Sequence, residues 1–416
     1  MSNFNFNKYV GLSDMAPDLP DFVRASGNTL IDKDSNEYLD LCSGRGTLPL
    51  GHNNQVVHDM TLWQMKSSPH LPSYGLNDRS PVTQYAMSLA LHFDGFPQEK
   101  KEGQRVGNQV IFTEPGIAPL DFAITAAKDY NHKTGVAFLR GSSHADDSGV
   151  FHSEEGSASL EVAGDVTWID PFVTMTEREL DKHDWSEISA VVVELVQVNG
   201  GVRRIPDTFL KALRERCRKE KDILIIVDES RTGFGRTGRM FAQQTYGFTA
   251  DITVLGGALG GGFPLGAVVA NQKVMESISP KGLTTSVFGG HAVSCTAGLI
   301  TMAQITEGRL ENARKVARQL HDGLDTLVRE FPDILKEVTS EGLMIALSFA
   351  EGVSPADFEA LAQKHGVLLC FDWPYAHGVT IKAYPPLTLT EEEAQGAITS
   401  IWSALNEMRG GSANDD

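Results

Sequence analysis

The feature that most constrains the fold is the run Ser189–Val196, SAVVVELV, which is almost continuously apolar. A strand with one wet face alternates apolar and polar residues, so an unbroken run implies a strand covered on both faces. ILIIVDE, Ile223–Glu229, repeats the signal, and between the two lies TFLKALRERCRKEKD, Thr208–Asp222, with apolar residues at helical spacing. Strand, helix, strand is the unit of a parallel sheet. Gln109–Thr113 and Val136–Arg140 read as further strands, with a helix over Pro119–Tyr130 between them. Beyond about residue 305 the pattern shifts to a long amphipathic helix, Arg309–Phe331, and near the other end Thr29–Leu41 reads as a hairpin turning on Asp34, Ser35 and Asn36. The reading is an α/β protein: a large domain with a mostly parallel central sheet (residues 56–305) and a small α+β domain built from both chain ends (1–55 and 306–410). A short polar tail (411–416) is expected to be disordered.

Composition narrows the roles. A net charge of −18 over 416 residues argues against binding nucleic acid or an anionic membrane. No apolar stretch is long enough to span a bilayer, and a cytoplasmic location is expected. Cys42, Cys217, Cys295 and Cys370 are widely separated and show no paired spacing, so neither a metal site nor a disulfide framework is expected.

Several tracts then occur in a telling order: YLDLCSGRGTLPLGHNN (Tyr38–Asn54), VVELVQVNGGVRRIP (Val192–Pro206), VDESRTGFGRTG (Val227–Gly238), VLGGALGGG (Val254–Gly262), GFPLGAVV (Gly262–Val269) and IKAYPPLTLTEEE (Ile381–Glu393). This succession resembles the class III aminotransferases, enzymes that hold pyridoxal phosphate (PLP) as a Schiff base on a lysine, and most resembles their diaminobutyrate branch. The resemblance implies the type I PLP-dependent transferase fold and a homodimer.

Position by position, the resemblance is uneven. Asp228 stands where the family's aspartate pairs with the pyridinium nitrogen, and it equally suits a structural aspartate capping a turn. Gly257 stands at the lysine position and has no amine. In the phosphate turn Gly116 is kept, but Pro115 removes a donor, Ile117 replaces a hydroxyl residue, and Glu114 adds a negative charge. Val287 replaces a threonine lent across the dimer. Ser143 replaces an aromatic shelf that contributes roughly 0.5–1.5 kcal/mol beyond area burial.

Charged groups accompany these losses. Arg231 replaces glutamine, His291 asparagine, Arg45 a small residue and Asn199 glutamate, while His144, Asp146 and Asp147 occupy the loop of the missing shelf. Lys382 stands for an arginine that grips a substrate carboxylate. From this pattern the expected catalytic set is His144, Asp228, Arg231 and His291, with Arg45, Glu194, Gln197 and Lys382 binding substrate. Neither PLP nor pyridoxamine phosphate (PMP) is expected to bind. The expected function is PLP-independent biosynthetic chemistry on a small anionic or amino-acid-derived substrate. Two alternatives stand beside it: a noncatalytic subunit partnering an active aminotransferase, and an enzyme using PLP or PMP without an internal aldimine.

Overall fold

The computed structural model describes residues 19–68, 79–94, 107–144, 165–198, 201–220, 222–278, 286–371 and 380–412. The chain opens on three short strands, β1 (Phe22–Ser26), β2 (Thr29–Asp32) and β3 (Glu37–Asp40), paired antiparallel. The turn between β2 and β3 is closed by Asp32, whose Oδ1 accepts the N–H groups of Asp34 and Asn36 at 2.9 and 2.8 Å. Helices α1 (Gln55–Ser67) and α2 (Pro81–Asp94) follow.

The middle of the chain alternates as its sequence implies. In order come β4 (Asn108–Thr113), α3 (Ala118–Asn131), β5 (Gly135–Leu139), β6 (Val166–Ile169), α4 (Thr176–Leu180), β7 (Ile188–Val193), β8 (Val196–Gln197), β9 (Arg203–Arg204), α5 (Asp207–Lys219), β10 (Leu224–Asp228), α6 (Ala242–Tyr246), β11 (Ile252–Leu255), β12 (Gly266–Asn271) and α7 (Gln272–Ser277). Seven of these strands form one sheet in the order β4-β12-β11-β10-β7-β5-β6. The pairs β11/β10, β10/β7, β7/β5 and β5/β6 are parallel, whereas β12 is antiparallel to both neighbours.

The apolar runs explain the layering. Val136, Phe138, Ala190, Val192, Leu224 and Ile226 pack on one side with α3 residues such as Leu120 and Ile124. Their immediate neighbours Ala137, Leu139, Val191, Val193, Ile225 and Val227 pack on the other with Phe209 and Leu213 of α5. Period-2 alternation therefore sends successive side chains into two separate cores. Burying each such Val, Leu, Ile or Phe contributes roughly 1.5–3 kcal/mol.

The run Ser189–Val196 is not one strand, however. β7 stops at Val193, and Val196 and Gln197 pair with Arg204 and Arg203 in a separate hairpin. The break falls at Glu194, whose buried side-chain carboxyl accepts the Ser143 N–H from the turn after β5.

The remaining elements are α8 (Ala292–Gln304), α9 (Glu307–Glu330), β13 (Leu335–Ser340), β14 (Ile345–Phe349), α10 (Pro355–Lys364), β15 (Val367–Leu368), β16 (Cys370–Phe371), β17 (Thr380–Ala383) and α11 (Glu391–Ser412). A four-stranded sheet runs β13-β14-β17-β16, and β15 joins β3 in parallel, so segments from both ends of the chain share a sheet. Residues 413–416 lie outside the described residues.

The structure corrects the reading of the cysteines: Cys42 and Cys370 form a disulfide with their Cα atoms 5.3 Å apart. They are 328 residues apart in sequence, so no local spacing could announce the pair.

Candidate functional site

Because β5, β7, β10 and β11 are parallel, their carboxyl ends fall on one edge, and antiparallel β12 begins there. Ligands in open α/β sheets bind at this edge. A cavity of about 440 Å³ lies there. Its wall comes from Gly44, Arg45 and Thr47 after β3, Pro115 and Gly116 after β4, and Ser143 after β5. Asp228, Ser230 and Arg231 come from the end of β10, Gly256 and Gly257 follow β11, and Gly262 to Leu265 lead into β12.

Asp228 is buried at the end of β10. His144 Nδ1 lies 2.8 Å from its Oδ2, and the Ser230 N–H donates to Oδ1 at 2.9 Å. Burial pushes the Asp228 carboxyl up, but the His144 contact and the Ser230 hydrogen bonds outweigh it and hold the group below the usual aspartate value. An ionised carboxylate accepts, so His144 carries its proton on Nδ1. Glu194 is the opposite case. It is buried beside Asp228, and desolvation and that neighbouring charge raise it well above the usual carboxylate range, against the Ser143 N–H at 2.8 Å and the charge of Lys382. Two adjacent carboxyls thus have their affinities for protons pushed apart.

The expected site residues separate into groups. Asp228, Arg231, Arg45, Ser143, Gly116 and Gly257 line the cavity. His144 is buried and engaged with Asp228. Glu194 is buried beside Asp228, and Lys382 is buried where its charge acts on Glu194; neither forms the cavity wall. Gln197 braces the turn after β5, donating to the Arg140 carbonyl at 2.8 Å and to Ser142 Oγ at 3.1 Å. His291 sits at the N-terminus of α8, with its ring 6.4 Å from that of Phe288, and is not part of the cavity wall. Ile117 precedes α3 and packs against the core, while Val287 is 71 % exposed. The four-residue catalytic cluster expected from sequence therefore does not assemble around this cavity within one chain: Asp228 and Arg231 line it, His144 supports it from behind, and His291 stands elsewhere. Asp146, Asp147 and Asn199 lie outside the described residues.

Sequence reading missed Thr47, Ser230 and Arg236. Arg236 is 1 % exposed and donates to the Pro385 carbonyl and, at 3.1 Å, to the Gly46 carbonyl, bracing the pocket loop from behind. Its position in the Gly-rich TGFGRTG tract is the sole signal the sequence offers for it.

A basic ring nitrogen with a phosphate tail needs a buried carboxylate at one end and cationic or N–H donors at the other. The cavity wall supplies Asp228, Arg45, Arg231 and the turn at Gly116, two residues before a helix whose N-terminus favours an anion. The residues present fit such a group. Lysine is absent from the described cavity wall, and Gly257 takes φ +52°, where the Cβ of any larger residue would collide with the Ser230 carbonyl oxygen.

The fold and site define an aminotransferase-like protein of the PLP-transferase type. Residues 169–405 match the family model "Aminotransferase class-III". The chain is 30 % identical over 399 residues to an acetylornithine aminotransferase of Oceanobacillus iheyensis, covering 94 % of each protein. It superposes with TM-score 0.79 and 26 % identity on an amine transaminase from an uncultivated Pseudomonas species, solved in a PLP-bound (internal aldimine) form, over 94 % of this chain and 95 % of that one. A Toxoplasma gondii ornithine aminotransferase matches with TM-score 0.81 and 23 % identity over 97 % and 94 %. The chain belongs to the class III aminotransferase family.

These relatives overturn two expectations. The function read from Gly257, Ile117, Ser143 and Val287, a protein that has left PLP chemistry, is contradicted by relatives along nearly the whole chain that are aminotransferases. The expectation that neither PLP nor PMP binds falls with it, since a PLP-bound neighbour shares the fold at 26 % identity. The physical reason is that a changed residue removes a contact only where it faces the cavity. Ile117 does not line this chain's cavity, while Asp228, held by His144, and Arg45 and Arg231 do.

Proposed function

We propose that the chain is a PLP-dependent aminotransferase acting on the terminal amine of a small diamino acid such as ornithine or its N-acetyl derivative, with a 2-oxo acid as acceptor. The observation that carries this reading is the buried Asp228–His144 pair on a cavity of about 440 Å³, in a chain of the class III family. When bound, PLP supplies a carbonyl to receive the amino group and a ring that withdraws electrons. Asp228, kept ionised by His144 and Ser230, would hold a ring nitrogen in its protonated form. Arg45 and Arg231 would hold carboxylate or phosphate oxygens by charge-assisted hydrogen bonds. The Pro264–Leu265 edge and the glycine turns would exclude water around the ring. A cytoplasmic homodimer is the setting of this reading, and the exposed apolar face of α1, with Trp63 60 % and Met65 50 % exposed, supports the dimer.

Spectrophotometric titration with PLP, followed by transamination assays with ornithine and N-acetylornithine, tests the proposal. Wild-type protein should bind PLP and turn over at least one of the two. Asp228→Asn removes a charged hydrogen-bond partner worth about 1.5–3 kcal/mol, so affinity should fall ~10- to 150-fold. A wild-type protein that takes up no PLP at millimolar concentration would end this reading.

A further inference from the structure

From the position of the Cys42–Cys370 bond we infer that these two residues form a reversible thiol–disulfide couple that sets the shape of the pocket loop Ser43–Leu48, and with it the affinity of the cavity for anions. The inference rests on reading that cavity as the active site.

The loop is held in a backbone shape that two of its residues would otherwise avoid. Ser43, Gly44, Arg45 and Gly46 take φ of +49°, +59°, +54° and +84° in succession. Left-handed backbone is free to the two glycines but costs Ser43 and Arg45 energy, and such a conformation persists only where its surroundings impose it. The fastenings are few and identifiable. Asp40 Oδ1 accepts the N–H groups of Cys42 and Ser43 at 2.8 and 2.9 Å, Arg236 holds the Gly46 carbonyl, and the disulfide pins Cys42 to β16. Gly44, Arg45 and Thr47 of this loop line the cavity. Of the fastenings, the disulfide alone can be made and unmade by chemistry.

The two sulfurs also differ in access as an exchange reaction needs. Cys42 is half-buried, so an external thiolate can reach it, while Cys370 is buried at 3 % exposure and serves as the internal partner. Cys370 stands in register with Lys382 across β16 and β17, at the edge of the small sheet. The reaction balances with a small-molecule disulfide such as oxidised glutathione as oxidant. The Cys42 thiolate displaces one glutathione thiolate to give a mixed disulfide. Cys370, losing its proton, then attacks the Cys42 sulfur, forms Sγ–Sγ and releases the second glutathione thiolate. A dithiol reductant runs the two exchanges backwards, returning two electrons and two protons to the protein. Cys217 and Cys295 are buried free thiols, and burial pushes Cys217 up to about 12 and raises Cys295 as well, so both are poor nucleophiles and serve as internal controls.

The test uses the full chain treated with oxidised glutathione or with dithiothreitol. Alkylation and peptide mass mapping report the thiols, hydrogen exchange reports the loop, and titrations with inorganic phosphate and with PLP report the cavity. Cys42 should be protected after oxidant and alkylated after reductant, with the buried Cys217 and Cys295 unlabelled in both and the Cys42–Cys370 linked peptide found only after oxidant. Amide exchange at Gly46, Thr47 and Leu48 should rise about tenfold on reduction, because these N–H groups bond within the loop. Anion affinity should shift severalfold in parallel, and Cys42→Ser should behave as the reduced protein under both treatments. Loop exchange that ignores redox state, or thiols that oxidant never protects, would overturn the inference. If exchange responds while PLP binds in neither state, the cofactor reading fails and the redox couple stands.

Discussion

Glu194 shows how a single residue can make this fold sensitive to pH. Its carboxyl is raised by burial and by Asp228, so the folded protein holds that proton more tightly than the unfolded chain does. The contribution is fully present below the ordinary glutamate value near 4.5 and is lost as pH rises from there toward the folded value. Asp228 is depressed and runs the other way: its stabilisation is present above the ordinary value near 3.8 and is lost as pH falls through the folded value. Glu194→Gln keeps the shape and cannot ionise. Its melting temperature should therefore gain on the wild type as pH rises above the ordinary glutamate value near 4.5 in paired thermal scans. A constant gap above that value would show that Glu194 does not ionise differently on folding. At this scale Asp228 is legible, because a carboxylate ending an apolar strand must find a partner. Glu194 reads from sequence as a substrate ligand because nothing in VVELVQ shows that the strand breaks there and turns the carboxylate inward.

Elements are more legible than contacts. β7 and β10 announce themselves because a strand buried on both faces leaves a continuous apolar run, and α9 because its apolar face repeats at helical spacing. What joins elements is hidden: Arg236 meets Gly46 and Pro385, and Cys42 meets Cys370, across separations that carry no local signal. Arg236 stays charged at neutral pH even though burial lowers it to about 10, so it binds both carbonyls as a cation. Arg236→Leu would leave the buried Pro385 oxygen without that donor, at a cost of roughly 1–3 kcal/mol, and would free the part-buried Gly46 oxygen as well. The denaturation midpoint should fall accordingly, and the affinity for anions should fall with it as the loop carrying Arg45 loosens. An unchanged midpoint would mean that the loop is held from elsewhere.

For the whole molecule, the apolar face that α1 and α2 leave exposed bears on both assembly and the site. Val56, Trp63 and Met65 on α1, Met87 and Leu91 on α2, and Phe288 before α8 are each half or more exposed, and α1 and α2 both pack against α8. A second cavity of about 240 Å³ opens between α1 and the Leu48–Gly51 turn, and Phe263 belongs to its wall as well as to that of the main cavity. The apolar face is therefore continuous with the site, so an assembly formed there would also shape the pocket. The sequence reading places no helix over α1 or α2, and an apolar residue in sequence does not show whether the chain itself covers it. In the proposed homodimer Trp63, 60 % exposed, is the largest apolar side chain on that face. Central tryptophans of interfaces contribute about 2 kcal/mol or more, and glutamate adds an unpaired charge, so Trp63→Glu should weaken dimerisation at least ~30-fold. Sedimentation velocity over a concentration series would read this directly, with PLP titration on the same samples. Loss of dimer together with loss of PLP affinity is the expected pair, because Phe263 links the two surfaces. A variant that stays dimeric at every concentration would move the interface off α1, and a dimer lost with PLP affinity intact would separate the interface from the site.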